Sequence, residues 1–288
     1  MGFTAGLIQM TSSDDPLANL AQAQGFVRQA AAEGAHIALT PEVTNCVSFS
    51  KVHQERVLHH QDDDPTLAGL RDTARETGIW LLIGSLALKT DDPQGRYANR
   101  SFLIDPDGAI HSQYDKIHMF DVQVSETETY RESAGFRAGS EAVIAETPLA
   151  TFGLTVCYDL RFPYLFRALA KAGAEVLTLP AAFSPVTGVA HWETLVRARA
   201  IETGCFVLAP AQTGRHAARE GRPRTTHGHA LAVAPWGEVL LDMGKAPGVG
   251  LVSIDLARVV EARDRVPALF HDRDVTLRQS SGAEAEVG

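Results

Sequence analysis

The sequence predicts an α/β protein built on mixed β-sheets, and three features of the chain lead there. Apolar runs of strand length alternate with helix-length amphipathic segments through both halves of the 288 residues. Two pairs of neighbouring strands are joined by tight turns, at residues 106–108 and 235–237, which a purely parallel sheet would not contain. No Gly/Pro-rich linker, composition shift or repeat of roughly 20–50 residues divides the chain. Residues 1–279 are therefore expected to form one domain, with the small, polar residues 280–288 as a disordered tail.

Taken in order, residues 3–10 read as a first strand. Asp15 and Pro16 open a helix with Leu17, Leu20, Val27 and Ala30 on one face, and Gly34 stops it. Residues 37–39 form a short buried strand that delivers Thr40, Pro41 and Glu42. Residues 43–63 are polar and read as irregular. The acidic run Asp62, Asp63 and Asp64, with Pro65 and Leu67 directly after it, reads as a helix start in preference to a metal site. That helix carries Leu67, Leu70 and Ala74 and closes at Gly78. Residues 79–88 and 99–105 are strands, and 110–116 completes a hairpin with the latter.

The connection from Ile117 to Gly139 is long for a compact domain, and ordered loops of that length tend to carry function. The apolar run 152–156 then climbs to Cys157, and Pro163 opens a helix to Gly173. A strand at 176–179 and a helix from about Ala190 to Gly204 follow. Strands at 205–209, 229–234, 239–241 and 249–254 end the regular core.

The totals exclude several classes. A formal charge of −9 argues against a nucleic-acid or anionic-membrane partner, because either requires a basic face. No apolar run approaches the ~18 residues of a transmembrane helix, and the start of the chain lacks the basic-then-apolar pattern of a secretory signal. Cys46, Cys157 and Cys205 are odd in number and form no CxxC pair, so no disulfide framework is expected and a cytoplasmic compartment fits. No HExxH or Cys/His ligand spacing occurs, so neither metal nor cofactor is expected. The pairs His59–His60 and His227/His229 read as ordinary polar residues.

Cys157 ends a strand just before a helix whose partly positive N-terminus favours thiolate, although a small buried core residue has the same signature. A catalytic thiol needs a group to take its proton and a group to hold the developing oxyanion. Glu42 and Lys116 also follow strands. If those strands end together, a carboxylate, an ammonium and a thiol converge. Taken singly, Glu42 could be a surface carboxylate, and Lys116 could pair with Asp115 or Asp121.

TPEVTN at 40–45, YDKIHMFD at 114–121 and CYDLRFP at 157–163 together resemble the three signature blocks of the nitrilase superfamily of carbon–nitrogen hydrolases. The resemblance extends from the first strand to about Asp274. It implies a four-layer αββα sandwich with two mixed β-sheets, assembled as a homodimer or larger homo-oligomer. It also implies Glu42 as general base, Lys116 as oxyanion-stabilising cation and Cys157 as the nucleophile that forms a thioester. Glu132, in RESAGFRAG, matches a second glutamate of the family that would orient Lys116; its alternative is a surface partner of Arg131. The backbone N–H of Tyr158 would be a second oxyanion donor.

Within the superfamily, residues 181–216 resemble the amidases that act on deaminated glutathione, with the ω-amidases of α-ketoglutaramate as a sister branch. The implied partner is a small-molecule amide. Arg161 is the expected clamp for its carboxylate, or else a partner of Asp159. Phe120, Phe183 and Thr187 match positions that line the pocket in relatives. Relatives generally carry an aromatic two residues after the base, so Thr44 and Asn45 imply a more polar wall. The rival readings are a Cys–His hydrolase using His118 or His191, a nitrilase or carbamoylase, and a catalytically silent binding subunit.

Overall fold

Strands buried on both faces explain why the apolar runs are continuous and do not alternate. In the computed structural model, which describes residues 2–124, 126 and 128–279, two six-stranded sheets form the body of the chain. The first runs in the order Gly248–Asp255, Gly2–Gln9, Ile37–Leu39, Trp80–Leu88, Ala98–Ile104, Ile110–Asp115. Its middle three strands are parallel, and antiparallel partners flank them. The second runs Val239–Asp242, Leu231–Val233, Phe206–Ala209, Val176–Thr178, Thr151–Leu154, Val143–Glu146, again with a parallel centre.

Successive residues of one strand serve different layers. Ile37, Leu39, Leu82 and Leu103 face the second sheet and share its core. Ala38, Leu81, Ile83 and Phe102 face the other way, onto Val27 and Ala30 of the helix Pro16–Ala32 and Leu67 and Leu70 of the helix Pro65–Thr77. Between the sheets, the rings of Phe3 and Phe152 lie 6.1 Å apart. Beyond the second sheet, the helices Pro163–Lys171 and Pro185–Thr203 bury Phe166, Leu169, Trp192 and Val196 in the same core. The layers are helix, sheet, sheet, helix: the expected αββα sandwich. Each large apolar side chain removed from water contributes about 1.5–3 kcal/mol.

Most boundaries follow the signals read from the sequence. Asp15 accepts the N–H groups of Leu17 and Ala18, and Asp64 accepts that of Leu67, so both cap helices that open on proline.

Elsewhere the structure differs from the expectation. Leu17, assigned to the buried face, is 65% exposed because it lies in the first turn, ahead of the part of the helix that meets the sheet. The segment 43–63 contains a helix, Lys51–Val57, capped by Ser50; its polar residues show no helical period. The helix expected from Ala190 begins at Pro185, where a missing N–H costs nothing. The long connection holds a small hairpin, Asp121–Gln123 with Thr129–Arg131, and a helix, Ala257–Arg265, follows the last strand. Among the described residues no helix is long and apolar enough to cross a membrane.

The feature that positions the site is Gly84. An added Cβ there would sit 2.0 Å from the Thr40 carbonyl oxygen, 2.5 Å from that of Pro41 and 2.6 Å from the Pro180 side chain. The strand Trp80–Leu88 is irregular at this point, and it receives the chain after Leu39: the Gly84 N–H donates to Thr40 Oγ1 and the Val43 N–H to Ser85 Oγ. Gly84→Ala is expected to destabilise the fold by about 3 kcal/mol and to lower Tm by on the order of 5–10 °C in thermal unfolding. Activity is expected to fall further than Tm alone accounts for, since the displaced segment carries Glu42.

Candidate active site

The parallel strands of the two sheets end around one cavity of about 330 Å³, within the range of small-molecule sites. Glu42 arrives three residues beyond the strand Ile37–Leu39, and Lys116 directly follows Ile110–Asp115. Cys157 opens a short 3₁₀ turn, Cys157–Arg161, after Thr151–Leu154. All three line the cavity together with Glu132.

The Lys116 ammonium, only 2% exposed, is held between two carboxylates. It donates to Glu42 Oε1 at 2.9 Å and to both oxygens of Glu132 at 2.9 Å. Glu42 Oε1 also accepts from Asn99 Nδ2 at 2.9 Å, and Oε2 accepts the Ala182 N–H at 2.8 Å. Glu132 accepts the Phe120 N–H at 2.6 Å. Neither Glu42 nor Lys116 takes its surface alternative, and Glu132 faces Lys116 instead of Arg131.

The electrostatics follow from burial and these partners. Burial works against the Glu42 carboxylate, yet Lys116, Arg224 and the hydrogen bonds from Lys116 and Cys157 hold its pKa below the usual range. Burial likewise opposes the Lys116 ammonium, but Glu132 and Glu42 outweigh it and keep the amine protonated. The thiol goes the other way. Burial first, then the charge of Glu42, push Cys157 well above an ordinary thiol, with Lys116 only partly compensating. Burial and the charge of Glu42 thus oppose the thiolate expected from a neighbouring helix N-terminus. A short 3₁₀ turn, not a helix, adjoins the sulfur.

Two of the three non-glycine residues at positive φ among the described residues lie at the same place. Val43 and Cys157 have φ of +46° and +50°, a region that costs non-glycine residues about 1–2 kcal/mol each. The Val43 N–H bonded to Ser85 Oγ and the Cys157 N–H bonded to the Pro180 carbonyl hold both in place.

Phe120, Tyr158, Phe183 and Thr187 line the cavity. Arg161 does not. Its guanidinium packs 6.0 Å and 5.7 Å from the ring centres of Tyr158 and Phe183 and meets His191 Nδ1 at 3.2 Å. The clamp expected at Arg161 is thus displaced from the cavity. The alternative pairing with Asp159 fails too, because Asp159 engages Tyr114, His118 and the Val156 N–H. Thr44 and Asn45 form no pocket wall: Thr44 bonds Thr40 and Pro41, and Asn45 bonds both backbone groups of Ala87. His118 is stacked on Phe162, and neither it nor His191 lines the cavity, which removes the geometry of a Cys–His pair.

Sequence reasoning missed Asn99, Arg222 and Arg224, which also line the cavity. Asn99 stands beside Arg100 and Ser101 at the start of the strand Ala98–Ile104, where a polar run gives no signal of its own. It ties Glu42 to Glu132, at 2.9 Å and 3.3 Å. The two arginines sit in a polar stretch with no local signature.

The model of the family described as carbon–nitrogen hydrolase matches residues 4–264. The chain belongs to the carbon–nitrogen hydrolase family. It is 39% identical to a Yersinia enterocolitica protein named deaminated glutathione amidase, covering 94% of this chain and 93% of the relative. It is 38% identical to the human protein of the same name, over 92% and 80%. Among solved structures, the Caenorhabditis elegans NitFhit protein superposes with a TM-score of 0.86 at 34% identity, covering 94% of this hydrolase and 65% of that chain.

The electrostatics of this hydrolase site yield a test. The negative charge of Glu42 and the hydrogen bond it accepts both raise the thiol pKa, so Glu42→Gln is expected to lower it. Ultraviolet thiolate absorbance followed against pH should show Cys157 ionising at lower pH in the variant than in the wild type.

Proposed function

We propose that this protein is an amidase that hydrolyses the amide of a small α-keto acid, deaminated glutathione foremost, through a thioester on Cys157. The observation that carries the reading is the single ammonium shared by Glu42 and Glu132 beside a buried thiol. The names of the relatives support the substrate.

In the resting site the thiol is neutral and Glu42 is ionised. As Sγ attacks the amide carbonyl, its proton passes to Glu42, and negative charge develops on the carbonyl oxygen. Lys116 Nζ and the Tyr158 N–H receive that charge. One of the two Lys116 contacts to Glu132 is exchanged for the oxyanion, while the other keeps the ammonium oriented. Glu42 then protonates the leaving nitrogen, the C–N bond breaks, and the acyl group remains on sulfur. Water enters after the amine departs, gives a proton to Glu42 and attacks the thioester. Collapse releases the acid and returns the proton to sulfur. Every proton in the cycle moves through one carboxylate, so its ionisation in the resting state is required.

Further parts of the reading rest on the same fold. Residues 1–279 act as one domain, supported by a core shared between the sheets. Exposed Tyr164, Val186 and Val189 support self-association through the helices beside the site, and three free, buried cysteines support a reducing cytoplasm.

Amine release from deaminated glutathione should exceed ammonia release from α-ketoglutaramate, and both should exceed turnover of a nitrile or an N-carbamoyl amino acid. Lys116→Ala should lower kcat by at least ~10²–10³-fold, the usual cost of one oxyanion donor, and Cys157→Ala should abolish turnover. Faster nitrile turnover, or full activity without Lys116, would overturn the assignment.

A further inference from the structure

The lining of the cavity divides by charge. Its buried end holds Glu42, Glu132 and Lys116, whereas its more open end carries Lys51, Arg131, Arg222 and Arg224. That concentration of cations belongs to a chain of net charge −9. Arg222 and Arg224 lie over the same ring, 4.8 Å and 5.9 Å from the centre of Phe49. The ion pairs of this region go to Arg56–Glu220 and Arg219–Asp15, leaving Arg222 and Arg224 without a carboxylate among the described residues. Arg224 is only partly satisfied: Nη2 donates to the Ala182 carbonyl, while the buried Nε–H has no acceptor. Two guanidinium groups over one ring with no carboxylate at ion-pair distance among the described residues, one with an orphaned buried donor, favour an anionic ligand.

Their place fixes which part of the ligand they meet. Ala182 bonds Arg224 through its carbonyl and Glu42 Oε2 through its N–H, so a single residue links the guanidinium to the Glu42 carboxylate, and Arg222 shares the Phe49 ring with Arg224. Glu42 is the group that hands a proton to the departing nitrogen. The amine half of the substrate must therefore extend from Glu42 past Ala182 toward the arginines.

Resting on the amidase reading above, we propose that Arg222 and Arg224 form a subsite for a carboxylate on the leaving amine, so that the preferred substrates release a peptide-like amine ending in a carboxylate and not ammonia. Planar guanidinium groups grip a carboxylate at two points, and a neutral carboxamide in the same place loses the charge-assisted bonds.

The test compares deaminated glutathione with its C-terminal carboxamide, which keeps the α-keto acid half and the scissile bond and removes only the distal charge. Wild-type kcat/KM should favour the carboxylate by about 10–100-fold, the range expected for charge-assisted hydrogen bonds. In Arg222→Gln, a change at an exposed side chain, that ratio should fall toward one, chiefly through KM, and Arg222→Lys should restore part of it. An unchanged ratio in Arg222→Gln, or equal wild-type efficiency on the two substrates, would overturn the subsite while leaving the amidase reading intact. Hydrolysis of neither substrate by the wild type would overturn the amidase substrate reading and the subsite with it.

Discussion

One buried ammonium, gripped by two carboxylates, is the interaction on which the rest of this site depends. Taking three charges out of water carries a desolvation cost of several kcal/mol per ion, recovered only when geometry is close to ideal and every donor is used. Lys116 meets that condition with three contacts of 2.9 Å. Asn99 and the Ala182 and Phe120 amides occupy further lone pairs of the two glutamates. Removing Lys116 would leave two buried carboxylates without their cation and cost roughly 3–5 kcal/mol. The cluster thus couples stability to chemistry: what keeps Glu42 ionised in a dry cavity is also what makes it a proton acceptor.

The fold supplies the positions. Glu42 follows a parallel strand of the first sheet, and Cys157 follows one of the second. Pro180, at the end of the adjoining strand, accepts the Cys157 N–H. Gly84 allows the Glu42 segment to lie against the strand beside it. Two of the three non-glycine residues in left-handed backbone among the described residues, Val43 and Cys157, lie at the reacting groups. Their strain is balanced by hydrogen bonds from a well-packed core, which aims two side chains that relaxed extended backbone would not bring together.

Much of this was legible in the sequence for physical reasons. Strands buried on both faces read as continuous apolar runs, and Pro and Gly mark the ends of most elements, so the αββα layering follows. The convergence of Glu42, Lys116, Glu132 and Cys157 came from motif likeness, because contacts between residues so far apart in the chain leave no local period. Where that information ended, errors began. The orientation of Arg161 depends on the 3₁₀ turn Cys157–Arg161, invisible to residue counting, and its guanidinium packs on Tyr158 and Phe183 without lining the cavity. The ionisation of Cys157 depends first on its burial and then on the charge of Glu42, neither of which its neighbours in the chain supply. Arg222 and Arg224 escaped notice because they share a ring, Phe49, that lies far from them in sequence.

The central claim is that the resting site holds an ionised Glu42 and a protonated Cys157. Infrared difference spectra at neutral pH, wild type minus Glu42→Gln and wild type minus Cys157→Ala, read both states directly. The account predicts a carboxylate band in the first spectrum and an S–H band in the second. A protonated carboxyl band in the first, with no S–H band in the second, would contradict it.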